Sequence, residues 1–196
     1  VWCVGSSIIK RAFVATFDRP DGISLCLDRF GIELWWQGKG GLVWNKLLPR
    51  IKLLLKVRNQ PNYLLIHCGA NDIGATPLKY LMIEIQGTLE VLRNLLPNTK
   101  LIWSQLLPRL EWRHSHDRDA LNKTVKRLNS YVAAEVVIMG GYYIKYPDIK
   151  VSEKLLFDEI DGVHLSKTGN EIFLNTISGA MERFHTSDDH TYPRIY

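Results

Sequence analysis

Short apolar runs alternate along this chain with longer segments in which apolar residues recur at the spacing of a helix. The run 63–68 is almost continuously apolar, which is typical of a strand buried on both faces. The segment 42–57 instead has leucine and isoleucine on one face and lysine and arginine on the others, as an amphipathic helix does. Because strand and helix patterns alternate, the sequence predicts a parallel sheet covered by helices on both faces.

The expected elements follow from this alternation. We predict strands over 1–4, 32–36, 63–68 and 100–105, and a fifth over 142–146. We predict helices over 8–17, 42–57, 77–96 after a cap at Thr76, 119–139, and from a cap at Ser166 or Thr168 to about residue 184. Residues 1–185 should form one domain, and the polar segment 186–196 should be a flexible C-terminal tail.

Composition narrows the class of protein. A chain of 196 residues, with 46% hydrophobic and 23% charged residues, suits one ordinary globular core. The net charge of +5 permits contact with an anionic membrane or a nucleic acid, but the basic residues form no dense cluster. Cys3, Cys26 and Cys68 form no CxxC pair and read as reduced thiols. With no secretory signal at its start, we expect a cytoplasmic protein.

Polar motifs follow the predicted strands where such sheets carry their sites, at the carboxyl ends. The chain has Gly5-Ser6-Ser7 after the first strand, Gly40-Gly41 after the second, Gly69-Ala70-Asn71-Asp72 after the third, and Asp161-Gly162-Val163-His164 late in the sequence. Each motif alone is a common turn. Their joint order is what indicates a site.

Together these residues supply what acyl transfer by a serine requires. Ser7 lies at a strand-to-helix turn, where a helix N-terminus favours negative charge. His164 can take its proton, and Asp161 can hold the other ring nitrogen of the histidine. Gly41 can present a main-chain N–H, and Asn71 can add a side-chain donor to an oxyanion.

In this order the motifs resemble the SGNH (GDSL-like) hydrolase superfamily. GAND at 69–72 and DGVHLSKTG at 161–169 match its third and last blocks closely, whereas GSS at 5–7 replaces the usual Gly-Asp-Ser. The resemblance implies a flavodoxin-like three-layer α/β/α sandwich of about five strands, with no metal or cofactor. It also implies a catalytic triad of Ser7, His164 and Asp161, and an oxyanion hole made by Ser7, Gly41 and Asn71.

More narrowly, three runs look like the esterase domain of fish LINE-type non-LTR retrotransposons, within their first open-reading-frame protein. The runs are VGSSIIKRAF, WWQGKGG and IHCGANDIG. This resemblance implies a cytoplasmic role in a ribonucleoprotein particle, with lipid or membrane contact. Nucleic acid would then be bound through flanking segments, if at all.

Several further residues are candidates for a substrate rim. Trp36 ends the second predicted strand and Gly40 follows it, and Leu107 and Trp112 lie in the irregular segment after the fourth. Core packing is the competing interpretation for these apolar side chains. Arg109, Arg113 and Arg118 could meet an anionic head group, but we expect them to be solvated. We expect His67 to be a buried histidine with a hydrogen-bond partner, and the pair His114 and His116 not to bind metal.

The favoured function is hydrolysis of short to medium acyl esters, acetyl or lipid, by a serine esterase. The alternative is a catalytically weak or silent module of the same fold that binds lipid, membrane or ribonucleoprotein, which the Ser6 departure and the retrotransposon resemblance motivate. A classical α/β-hydrolase is excluded because it places its serine in a mid-chain GxSxG turn.

Overall fold

Six short strands, all paired in parallel, form the centre of this protein in a computed structural model that describes residues 1–194. The strands are β1 (Trp2–Gly5), β2 (Trp35–Gly38), β3 (Tyr63–His67), β4 (Lys100–Ser104), β5 (Tyr142–Ile144) and β6 (Thr191–Tyr192). Their order across the sheet is β2-β1-β3-β4-β5-β6. The predicted α/β class with a parallel sheet is confirmed.

The sheet lies between two layers of helices, which are α1 (Ser7–Thr16), α2 (Leu47–Leu54), α3 (Leu78–Leu95), α4 (Arg118–Ile138) and α5 (Lys167–Thr186). Buried residues of α2, α3 and α4 form one apolar cluster with one face of the sheet. Buried residues of α1 and α5 form a second cluster on the other face. Along β3, Leu64 and Ile66 join the first cluster and Leu65 joins the second, which explains why this strand is apolar at successive positions.

The second helix is shorter than its apolar pattern predicts. The expected span was 42–57, but α2 begins at Leu47 and is preceded by a 3₁₀ turn over Trp44–Lys46. Pro49 lies in the first turn of α2, where a missing N–H breaks no helical hydrogen bond. Residues 42–43 instead belong to a loop at the sheet edge. The second strand is likewise displaced, to Trp35–Gly38 from the expected 32–36.

Of two predicted helix caps, one is confirmed in its first alternative and the other is wrong. Ser166 caps α5 by accepting a hydrogen bond from the Gly169 N–H at 3.2 Å, so the alternative cap at Thr168 is wrong. The third helix starts at Leu78 after Pro77, which lies outside the helix at ψ 133°. Thr76 is therefore not its cap.

The predicted flexible tail is wrong for the described part of 186–196. Helix α5 reaches Thr186, and β6 then pairs with β5 at the edge of the sheet. Asp189, only 7% exposed, accepts hydrogen bonds from Arg183 and Arg194. These ion pairs make a polar segment part of the folded unit, which therefore extends past residue 185. Residues 195–196 lie outside the described residues.

Within residues 1–194, no helix is both long enough and apolar enough to cross a bilayer.

Two glycines let α1 lie directly against the carboxyl ends of the strands. A Cβ atom added to Gly5 would lie 2.5 Å from the Ile9 Cγ1 of α1 and 2.4 Å from the His67 carbonyl oxygen of β3, and one added to Gly38 would lie 2.2 Å from the Lys10 nitrogen of α1. Backbone atoms cannot move away as a flexible side chain can, so only glycine fits at either position. This close approach fixes the N-terminal turn of α1, and with it Ser7.

We therefore predict that Gly38→Ala lowers the free energy of unfolding by about 1–3 kcal/mol, because the added methyl forces α1 away from β2. Gly40→Ala is a matched control, since nothing lies within 4 Å of its added Cβ. Urea denaturation of the two variants checks the difference. Equal stability of the two would contradict the packing of α1 described above.

Candidate active site

Ser7, His164 and Asp161 form a continuous series of hydrogen bonds at the carboxyl edge of the sheet. The Ser7 Oγ lies 2.8 Å from His164 Nε2, and His164 Nδ1 lies 2.6 Å from Asp161 Oδ2. Ser7 is the first residue of α1, and the other two lie in the loop before α5. The structure thus brings together the three residues that the sequence predicted as a triad.

The partners of His164 determine its tautomer. An ionised Asp161 can only accept, so the Nδ1 atom of the imidazole carries the proton. The Nε2 lone pair then faces Ser7 and accepts a hydrogen bond from its hydroxyl group. This arrangement is the one that a general base requires.

The carboxylate of Asp161 is held by its own loop. Its Oδ1 accepts the main-chain N–H groups of Val163 and His164, both at 2.9 Å. Partial burial acts to raise the pKa of Asp161, but these hydrogen bonds and the one from the imidazole outweigh it and hold the pKa at about 2. The carboxylate is therefore ionised at neutral pH.

Arg11 ties this loop to α1 and was not identified from the sequence. Its Nη1 donates to Asp158 Oδ2 at 2.9 Å, and its Nη2 donates to Asp161 Oδ2 at 3.3 Å. The sequence feature that could have identified Arg11 is its spacing from Ser7. It lies one helical turn after Ser7, so both side chains share a face of α1. The arginine thus holds the Asp161 loop beside the serine.

The side-chain amide of Asn71 has a defined orientation. Its Nδ2 donates to the Leu42 carbonyl at 3.0 Å, and its Oδ1 accepts from Arg109 Nη2 at 3.1 Å. Since a carbonyl only accepts and a guanidinium only donates, the amide cannot be flipped. One N–H of Asn71 remains available for a ligand. Arg109 is 8% exposed, so the expectation that it is solvated is wrong.

Asp72 connects this loop to the loop that carries Gly41. Its Oδ2 and Oδ1 accept the Trp44 N–H at 3.0 and 3.2 Å. Burial raises the pKa of Asp72 to about 6, although the Trp44 hydrogen bond acts in the opposite direction. The carboxylate thus fixes the chain just after Gly41, a residue whose φ of 68° suits glycine.

One cavity of about 510 Å³ contains the predicted machinery, and its lining includes Ser7, Gly41, Asn71, Arg109, Trp112 and His164. Two larger surface cavities, of about 740 and 590 Å³, include neither Ser7 nor His164. The candidate active site is therefore identified by the side chains that line the cavity and not by the volume of the cavity.

The predicted rim is corrected at three positions. Trp112 lines the cavity, but Trp36 and Leu107 are buried in the apolar cluster under α1 and α5. Trp36 uses its indole N–H to bond the Ile23 carbonyl at 2.8 Å, which fixes it in the core. Gly40 is exposed and is not among the residues that line the cavity.

The structure confirms that His67 is a buried histidine with a partner. Its Nδ1 lies 3.0 Å from Ser104 Oγ, which in turn lies 2.7 Å from the Tyr146 hydroxyl. Burial, and the positive charge of Arg109, lower its pKa to about 3, so it is neutral. Among residues 1–194, no group of three or more His, Cys, Asp or Glu side chains is placed to hold a metal ion.

Ser6, which stands where the resembling family has aspartate, is 3% exposed and does not line the cavity. Its main-chain N–H donates to the His67 carbonyl at 3.3 Å. The second hydroxyl of the GSS motif therefore does not compete with Ser7 for the histidine.

Solved structures with a similar fold include proteins named as lipases and esterases. A GDSL-like lipase from Bacteroides thetaiotaomicron superposes with a TM-score of 0.70 at 19% identity, covering 92% of this chain and 86% of that one. A lipolytic protein of the G-D-S-L family from Veillonella parvula superposes with a TM-score of 0.68 at 16% identity, covering 93% of this chain and 97% of that one. A family 3 carbohydrate esterase from Clostridium thermocellum superposes with a TM-score of 0.69 at 15% identity, covering 94% of this chain and 96% of that one.

The sequence matches no family model and no curated protein. At these identities, the structural likenesses show the fold, which is that of the GDSL-like hydrolase structures.

We predict a pH-dependent effect of Asp72→Asn on stability. The folded pKa of Asp72, about 6, lies above its ordinary value of 3.8, so the folded state binds more protons between these two pH values. The contribution of Asp72 is therefore fully present below pH 3.8 and is lost as the pH rises through 6. The asparagine variant lacks this titration. Relative to it, the wild type should lose unfolding free energy across this range in urea titrations, and a constant difference would contradict the account.

Proposed function

We propose that this protein is a serine esterase of the SGNH superfamily that hydrolyses short to medium acyl esters. The observation that carries the proposal is the series of hydrogen bonds from Asp161 through His164 to Ser7. Ser7, at one end of this series, lines the same cavity as the two predicted oxyanion donors Gly41 and Asn71. A structural role alone does not explain this convergence, because its residues come from four separate loops.

In the proposed acylation step, Ser7 Oγ attacks the acyl carbonyl carbon while His164 Nε2 takes the hydroxyl proton. A tetrahedral intermediate forms, and its negative charge resides on the former carbonyl oxygen. The imidazolium then gives the proton to the departing alcohol, and the acyl group stays on Ser7. Asp161 remains ionised and stabilises the transient positive charge of the ring.

The oxyanion would be bound by three N–H groups. The main-chain N–H groups of Ser7 and Gly41 and the free N–H of Asn71 are the proposed donors. The N-terminus of α1 adds a favourable electrostatic contribution, since Ser7 is its first residue. Water activated by His164 would finally hydrolyse the acyl-enzyme and restore the serine.

Carboxylic esters are the proposed substrates because the structural neighbours carry the names lipase, lipolytic protein and carbohydrate esterase. A cavity of about 510 Å³ has room for an acetyl or a medium acyl chain. The narrower relation to retrotransposon esterase domains, the cytoplasmic location and contact with an anionic membrane stay predictions.

We predict that Ser7→Ala reduces the hydrolysis of p-nitrophenyl acetate by roughly 10³-fold or more, because the nucleophile is lost. Ser6→Ala is the matched control, since it removes the neighbouring hydroxyl that does not line the cavity. It should retain most of the activity. The rates of the longer p-nitrophenyl esters, measured in parallel, give the preferred chain length.

Two results would contradict the proposal. Equal activity of wild type and Ser7→Ala would exclude Ser7 as the nucleophile. Absence of turnover with every ester in the series would favour the silent module instead, and binding to liposomes and to RNA would then be measured.

A second prediction concerns the oxyanion. Asn71→Ala should lower kcat by roughly 10²–10³-fold with a smaller change in KM, because the lost hydrogen bond forms mainly in the transition state. Steady-state kinetics with p-nitrophenyl acetate separate the two constants. A rise in KM with unchanged kcat would mean that Asn71 binds the bound substrate and the transition state equally, which would contradict its role as an oxyanion donor.

A further inference from the structure

The guanidinium of Arg109 is a buried cation without a counter-ion among the described residues. Its residue is 8% exposed and lines the Ser7 cavity. No Asp or Glu side chain in residues 1–194 comes within the 4.0 Å ion-pair distance of it. Burial, and the neighbouring charge of Arg113, lower its pKa to about 10, although the more distant carboxylate of Asp161 acts in the opposite direction. Arg109 therefore remains positively charged at neutral pH. Such burial is unfavourable unless a partner compensates it.

The contacts of Arg109 do not neutralise this charge. Its Nη2 donates to Asn71 Oδ1, which uses one of the five N–H groups of a guanidinium. Its Cζ lies 4.9 Å from the ring centre of Trp112, a cation–π contact that orients the group. Both partners are neutral, and both line the same cavity.

The rest of the cavity wall is partly apolar, and its polar side chains include more donors than acidic acceptors. Arg113 and His114 also line it, and the buried indole N–H of Trp112 has no acceptor among residues 1–194. Asp161 is the one acidic side chain in the described lining, and it is already bonded by His164 and Arg11. A ligand that complements this wall carries negative charge.

We infer that the substrates are esters bearing a second, negatively charged group such as a carboxylate or sulfonate, with Arg109 as the counter-ion of that group. The inference rests on the proposed function, because it names the substrate class of the same cavity. A charge-assisted hydrogen bond to a planar guanidinium supplies both the attraction and the orientation of the ester. Arg109 then selects the substrate, in addition to holding Asn71.

Two matched pairs of substrates test this selection. In the first, the acyl chain differs: mono-p-nitrophenyl adipate is compared with its neutral methyl ester. In the second, the leaving group differs: p-acetoxybenzenesulfonate is compared with the neutral p-acetoxybenzenesulfonamide. The ratio of kcat/KM within a pair is the measured quantity, because any disturbance of Asn71 affects both members alike and cancels.

For at least one pair, we expect the wild type to favour the anion by roughly tenfold or more. Arg109→Met should abolish the preference, and Arg109→Lys should keep much of it because the charge is retained. Arg127→Met is the matched control, since it removes an exposed arginine of α4 outside the cavity. It should leave the ratio unchanged, which separates local binding from long-range attraction.

A binding measurement keeps the inference separate from the proposed esterase activity. Calorimetry on Ser7→Ala compares the anion monomethyl adipate with neutral dimethyl adipate, and neither measurement requires turnover. Tighter binding of the anion that disappears in the Ser7→Ala, Arg109→Met double variant would support the inference even if no ester were hydrolysed. Absence of any preference for the anion in both kinetics and binding, or a preference that survives Arg109→Met, would overturn it.

Discussion

The contact between Ser7 and His164 joins residues that lie 157 positions apart, and the chemistry proposed for this fold depends on it. It requires α1 to begin at one place on the sheet and the loop before α5 to return to that place. Gly5 and Gly38 fix α1 by removing the side chains that would separate it from the strands. Arg11 then reaches from α1 to the Asp161 carboxylate, so helix and loop are held against each other.

The side of the cavity that holds the proposed oxyanion donors is fixed by a different set of contacts. Asp72 holds the Trp44 N–H and so the end of the Gly41 loop, while Leu42 and Arg109 bond opposite ends of the Asn71 amide. These polar groups are largely buried, where an unsatisfied donor or acceptor is unfavourable. Each therefore has a strong preference for one geometry. Preorganisation of this kind is what stabilisation of a transition-state charge requires.

The sequence predicted the parts of the site that local patterns determine. Asn71 lies in a short motif at a strand end, and strand order alone places such a motif at one edge of a parallel sheet. His164 lies in a short motif directly before α5. Arg109 and Leu107 lie in an irregular segment, where no periodicity indicates which side chain faces the core. Both predictions were therefore wrong. Arg109 was expected in solvent but is buried at the cavity, and Leu107 was a candidate for the rim but lies in the core. The tail was missed because ion pairs, not apolar residues, hold Asp189 at the sheet edge.

If the geometry around Ser7 makes it a nucleophile, a reagent that phosphorylates activated serines should label it. The protein would be incubated with diethyl p-nitrophenyl phosphate, and the modified peptide identified by mass spectrometry. We expect one diethylphosphoryl group per chain, on Ser7, and slow labelling of His164→Gln because the base is missing. An unmodified Ser7, or labelling that is equally fast without the His164 imidazole, would contradict it.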